Sequence, residues 1–171
     1  MKRILLLSFM VLYSLSLPAQ DFYEMYQTFS SSLYPYSIKI PKTFSKTTAK
    51  SKNIDLKFVD QYGASILVNV TPRLPEEYKI TPHDQTKSFQ ETGMRAVAPN
   101  YTITRLENRY VDGQKAQIIE SIGGVNPKLK MIECTIYYLN KVYLVSGTID
   151  NQRFDSYRQL FENAIFSIDF R

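Results

Sequence analysis

Three times in this chain, two runs of alternating apolar residues are joined by a connection too short for anything but a hairpin. Ile54 to Val59 and Ala64 to Thr71 flank Asp60-Gln61-Tyr62-Gly63; Tyr101 to Val111 and Lys115 to Ile122 turn at Asp112-Gly113; Lys130 to Leu139 and Val142 to Ile149 turn at Asn140-Lys141. Parallel strands need a crossover of a dozen or more residues, so the sheet these runs form must be mainly antiparallel. Asp-Gly between apolar runs supplies the left-handed backbone angles of a two-residue turn, and Gly63 does the same for its longer loop. A period of two puts Ile132, Cys134, Ile136 and Tyr138 on one side of their strand, which is the side expected to face the core.

The other segments supply the cover. Phe22, Met25, Tyr26, Phe29 and Leu33 recur at helical spacing behind Asp21 and predict a short amphipathic helix. Tyr34, Tyr36, Ile38 and Ile40 alternate and predict a strand ended by Pro41; Ser45 to Asn53 carries Ser, Thr and Lys in place of large apolar residues and predicts a surface loop. Pro72, Pro75 and Pro82 mark a connector. Thr81, Pro82 and Asp84 read as the cap and first turn of a helix running through Phe89, Gly93 and Val97 to Pro99, with Gly93 on the apolar side suggesting close packing. Phe154, Tyr157, Leu160, Phe161, Ala164 and Ile165 form a last helical stripe, followed by an alternating tail from Phe166 to Phe170. The expected fold class is α+β: a mainly antiparallel sheet of six or seven strands flanked by helices, an α/β/α sandwich.

Met1, Lys2 and Arg3 precede an apolar run from Ile4 to Leu17 and then Pro18-Ala19-Gln20, the pattern of a secretory signal peptide over residues 1–19. The run is shorter than the ~20 apolar residues a membrane span needs, so the protein is expected not to span a membrane once the signal is removed. No cysteine near Ala19 offers a lipid attachment point, and the expected location is secreted or periplasmic. Residues 20–171 have the size of one compact domain. With Cys134 as its one cysteine, the chain contains no internal disulfide. Removing Lys2 and Arg3 lowers the formal net charge from +5 to +3, too mild a field for a nucleic-acid binder.

Tyr36-Ser37-Ile38 with Pro41 and Phe44, Asp112-Gly113-Gln114-Lys115-Ala116, and Phe154-Asp155 through Phe161, Ile165 and Phe166-Ser167 resemble the opening strand, central hairpin and closing helix and strand of the PsbP-like superfamily. That group includes the PsbP proteins of photosystem II, the Ran-binding Mog proteins and DcrB-type bacterial envelope proteins. The resemblance covers Tyr34 to Phe170. It implies an antiparallel sheet between helices and a non-enzymatic binding or accessory role, and it carries over no site residue.

The residues that could carry chemistry are few. His83, the one histidine, sits just inside a predicted helix start, where exposure is expected. Cys134, between Glu133 and Thr135, falls on the apolar side of its strand, where a thiol is inert. Glu76-Glu77 and Gly123-Gly124 match neither a metal site nor a phosphate loop. The 13 tyrosines cluster as Tyr23 with Tyr26, Tyr34 with Tyr36 and Tyr137 with Tyr138, which suits sheet packing and also interfaces. Lys39, Lys42, Lys46, Lys50, Lys52 and Lys57 share their stretch with one acid, Asp55. The expected function is that of a binding or accessory protein without catalysis or cofactor, acting through a protein or envelope partner. The alternatives are a small hydrolase using Cys134 or His83, and an anionic-ligand binder using the lysine-rich segment 39–57, with Lys46, Lys50 and Lys52 as ligand-binding residues.

Overall fold

The computed structural model describes residues 25–75, 79–123, 126 and 128–171. The expected signal peptide, Tyr23 and Glu76-Glu77 lie outside them. In chain order the strands are β1 (Tyr26–Ser30), β2 (Tyr36–Pro41), β3 (Ser45–Lys46), β4 (Ile54–Val59) and β5 (Ser65–Pro72). A 3-10 turn (Pro82–Asp84) and helix α1 (Lys87–Arg95) lead to β6 (Thr102–Val111), β7 (Gln114–Ile122), β8 (Leu129–Tyr138) and β9 (Lys141–Asp150). Helix α2 (Phe154–Phe166) and β10 (Asp169–Phe170) complete the described chain. The main sheet has seven strands in the order β3-β4-β5-β9-β8-β7-β6, and a second sheet of three strands runs β1-β2-β10. All their pairings are antiparallel.

Register sorts the main sheet into two faces. On the first, Val68, Val145, Cys134 and Ile118 lie in one row across β5, β9, β8 and β7, with Ile66, Gly147 and Ile132 in the next and Val70, Tyr143, Ile136 and Ala116 beyond it. These are core positions, buried against β2 and α2. Phe161 of α2 lies over Gly147, where an added Cβ would fall 2.3 Å from Phe161 Cγ, so the glycine sets how closely the helix approaches. At the β6 end this face turns ionic: Glu120, 2% exposed, meets Arg105 at 2.9 Å, Arg158 at 3.2 Å and Lys130 at 3.5 Å, and Arg105 continues to Glu162 at 2.7 Å. The second face carries the small cluster of Ala98, Tyr101, Ile103 and Ile119, with Met94 and Leu106 packed against it.

The hairpins fall where the short connections place them. Asp112 (φ 47) and Gly113 (φ 72) both adopt the left-handed backbone of the tight turn. In the β8–β9 hairpin the turn is Leu139-Asn140, one residue earlier than Asn140-Lys141, because Lys141 pairs with Tyr138.

The helix expected over Phe22 to Leu33 is, in its described part, strand β1. Ser31 Oγ accepts the Leu33 and Tyr34 N–H groups at 3.1 and 2.9 Å, which turns the chain back so that β1 pairs with β2 from Tyr26↔Pro41 to Ser30↔Ser37. Met25 and Leu33, two members of the helical stripe, are 60% and 74% exposed and share no buried face. The loop expected from Ser45 begins as β3, since Ser45 and Lys46 pair with Val59 and Phe58. The helix expected from Thr81 to Pro99 is split. Asp84 Oδ2 accepts the Thr81 N–H at 2.6 Å and closes the 3-10 turn, after which Thr86 caps α1 by accepting the Phe89 N–H at 3.2 Å. Gly93 borders open space and makes no close packing. The tail expected to alternate from Phe166 is helical at Phe166 and extended at Asp169–Phe170, where it pairs with β2.

Candidate functional site

The second face of the main sheet is half covered. Its middle rows, read from the register, are Leu67, Ser146, Glu133, Ile119 and Leu106 across β5, β9, β8, β7 and β6, then Asn69, Leu144, Thr135, Gln117 and Asn108. The 3-10 turn and α1 lie over the β6–β7 side, held there by side-chain amides. Gln117 Nε2 donates to the Gln85 carbonyl at 2.9 Å, Gln90 Nε2 to Gln117 Oε1 at 3.0 Å, and Gln85 Nε2 to the Tyr137 hydroxyl at 2.8 Å. Glu91 Oε1 accepts the Ile103 N–H at 2.8 Å.

Between this cover and the open strands is a groove of about 280 Å³, walled by Gln90 and Met94 of α1, Tyr101, and Asn69, Thr71, Val142 and Leu144 of β5 and β9. Glu133 lies in its floor beside Ile119 and Thr135. Among the described residues no hydrogen bond or ion pair reaches its carboxylate, and burial pushes its pKa from the ordinary 4.5 up to about 7. Burial likewise raises the pKa of the Tyr101 phenol. Beyond the amide bridge a second depression, about 380 Å³, is lined by Ile80, Gln85, Phe89 and Tyr137, with Phe89 69% exposed.

The residues singled out from the sequence lie elsewhere. Cys134 points to the opposite face of β8, wholly buried in the core, and that burial pushes its thiol pKa upward, away from the reactive thiolate. His83 is half-buried, not exposed: its Nε2 lies 2.9 Å from the Arg109 carbonyl and 3.1 Å from the Ala116 carbonyl, and its ring meets Tyr110 edge-on. Contact with two carbonyl acceptors makes Nε2 the donor and fixes the tautomer as a clip holding the 3-10 turn on the β6–β7 hairpin. No contact joins His83 to Cys134. Lys46 and Lys57 line an open groove of about 520 Å³ with Asp55, whose carboxylate accepts the Tyr36 hydroxyl at 2.5 Å; Lys50 and Lys52 are exposed outside it. The tyrosines are divided. Tyr36, Tyr101 and Tyr143 are buried, while Tyr137 is on the second face.

Glu133 is the residue that sequence reasoning passes over. Its signal is a carboxylate at the centre of an inner strand, alternating with core residues on the side where Met131, Thr135 and Tyr137 also project.

No protein-family model and no curated protein sequence matches the chain. Solved structures do. Cyanobacterial PsbP (CyanoP) of Synechocystis superposes with a TM-score of 0.67 over 86% of this chain and 93% of its own, at 18% identity. The fold is PsbP-like. LpqN of Mycobacterium tuberculosis, involved in cell envelope biogenesis, shares it with a TM-score of 0.61 over 90% of this chain and 96% of its own, at 9% identity. Protein PA94 of Pseudomonas aeruginosa, a putative regulator, follows at 0.55, 11% identity and coverage of 85% and 97%. These likenesses extend over nearly the whole described PsbP-like fold at identities that speak for the architecture alone. Among the described residues no helix is long and apolar enough to cross a membrane.

Proposed function

We propose that the protein is a secreted, non-enzymatic accessory protein of the cell envelope that binds a protein partner through the second face of its main sheet. The observation that carries this reading is the depression around Phe89 and Ile80. Two large apolar side chains stand exposed beside the half-buried Tyr137: Ile80, before the 3-10 turn, and Phe89 on α1, none of whose residues is buried. An aromatic side chain left in water at the edge of a concave surface gains most when a partner covers it. Support for the envelope comes from the charged start and apolar run of residues 1–19, and from the fold shared with LpqN. The burial of Cys134 and the carbonyl partners of His83 suit structural roles, and they favour the binding reading over the hydrolase.

The groove at Lys46 and Lys57 favours a second reading, an anionic ligand held by the lysine-rich segment. One capture experiment on the exported protein separates the two. Phe89→Ser is expected to reduce recovery of the partner by about tenfold or more, as truncating an anchor does, and raising salt is expected to leave parent binding largely intact. Changing Lys46, Lys50 and Lys52 together to Gln is expected to have little effect. Loss of capture in the triple variant, with Phe89→Ser binding normally, would transfer the site to the lysines. Intact-mass measurement of the same exported protein is expected to show a start at Gln20, and retention of Met1 to Leu17 would overturn secretion as the route.

A further inference from the structure

The other inward-facing carboxylates of this fold are answered within the chain. Glu120 has Arg105, Lys130 and Arg158; Glu162 has Arg105; Glu91 has the Ile103 N–H, Lys87 and Arg95; Asp55 and Asp60 accept the hydroxyls of Tyr36 and Tyr157. Glu133 has a cavity in place of a partner. Glu133 is half-buried, and a poorly hydrated carboxylate without a counter-charge is costly; the residues of β5, β7, β9 and α1 that line its groove carry no cation. What they do carry is specific. Met94, Val142 and Leu144 make an apolar wall, Thr135 brings a hydroxyl near the carboxylate on the same face of β8, and Asn69 and Thr71 lie two strands away on β5 at the far side of the groove. The volume of about 280 Å³ is just below the ~300 Å³ at which pockets for drug-sized ligands begin, so the groove suits a short chain or a single side chain.

We propose that this groove binds a primary alkylammonium group, with Glu133 as its counter-ion, the Thr135 hydroxyl as a second acceptor and the apolar wall taking its methylenes. An ammonium presents three donors and no acceptor, which suits a carboxylate with the Thr135 hydroxyl near it and the water of the open groove for the hydrogens left over. One carboxylate alone is a poor site for a hard divalent cation, which collects six or more oxygens. The ammonium has two sources, a free amine or the lysine side chain of a partner, and both present the same chemistry. The site is separate from the Phe89 surface, so its failure would leave the partner reading standing.

The ligand binds the ionised carboxylate, whereas burial keeps Glu133 protonated up to about pH 7. Binding at neutral pH therefore releases a proton, and affinity should climb roughly tenfold per pH unit toward pH 7 and level off above it. Tyr101 is the other titratable group facing the groove, and it stays neutral throughout, since burial raises its pKa from the ordinary 10.0. Glu91, on α1, acts on the Tyr101 phenol and is itself held by Ile103, Lys87 and Arg95.

The test is calorimetric and NMR titration of the exported protein with n-pentylamine, cadaverine, N-acetyl-lysine amide and, as the uncharged control, pentanol. The amines are expected to bind with proton release and the rising pH profile, and Glu133→Gln, which keeps the shape, to weaken them by about tenfold or more. Tighter binding of N-acetyl-lysine amide than of cadaverine assigns the group to a partner's lysine; the reverse order assigns it to a free amine. Pentanol binding as tightly as pentylamine, undiminished amine binding by Glu133→Gln, or no response to pentylamine in the tens of millimolar would each overturn the proposal.

Discussion

Glu133 and Glu120 occupy adjacent inner strands and face opposite sides of one sheet, and their surroundings give them opposite roles. Glu120 is enclosed by three cations and ties α2 to the sheet. Glu133 is enclosed by none, and its folded pKa of about 7 stands above the ordinary 4.5 that holds in the unfolded chain. Between those values the unfolded chain has released a proton that the folded protein keeps, so stability falls as pH rises from 4.5 to about 7 and changes no further above it. Each pH unit crossed in that window costs about 1.4 kcal/mol, which brings the whole loss to about 3 kcal/mol. Urea midpoints compared at about pH 5 and about pH 8 should show Glu133→Gln flattening this part of the slope, leaving the variant more stable than the parent at the higher pH. An equal slope in both proteins would mean that Glu133 is ionised in water. In the sequence Glu133 is legible only as a charge on the side of β8 away from Cys134. Whether that side meets solvent or a groove depends on where residues 82–101 come to rest, and no local pattern records that.

Helix α2 shows what a well-anchored element looks like in this molecule. Phe154, Phe161, Ala164 and Ile165 are buried along one stripe, and Ser167 fastens its end to β2 by accepting the Lys39 N–H at 2.8 Å. Gly147 admits Phe161, so Gly147→Ala must shift the helix or the ring. The expected cost is about 1–3 kcal/mol, read as a lower urea midpoint with unchanged slope. A cost below about 0.5 kcal/mol, the level of an ordinary surface change, would show that the helix does not depend on this contact. The stripe of α2 and the three hairpins were readable because their determinants lie within a few residues of one another. The segment around Tyr26 and Phe29 misled because its spacing also fits a strand: Phe29 packs on Phe58 with ring centroids 4.5 Å apart, a contact only the folded chain brings about. At the exposed edge, β6 carries Arg105, Glu107 and Arg109 along one side and a bulge between Ile103 and Arg105. These features discourage further strands from adding there.

At the scale of the whole molecule, the main sheet is two meanders joined once. Strands β3, β4 and β5 form one contiguous ribbon and β6 through β9 the other, and the pairing of β5 with β9, from Ser65↔Thr148 to Pro72↔Lys141, brings them together. Each ribbon closes short loops, whereas the seam must close a loop containing α1 and three strands, with the entropy that such a closure costs. Loop-closure entropy therefore predicts an order of assembly. The expected order is that the ribbons form early, the seam closes slowly, and β2, α2 and β10 dock last on the surface that the completed seam provides. Val68→Ala, in the row where Val68 meets Val145, is expected to slow refolding measurably, whereas Ile38→Val, in β2, should act chiefly by speeding unfolding. Stopped-flow refolding and unfolding of the two variants would read this directly, and the opposite partition would place the small sheet ahead of the seam. Until β2 and α2 dock, the row of Val68, Val145, Cys134 and Ile118 stays open to water, so the accessibility of one thiol, followed in time, is a clock for the final covering of the sheet.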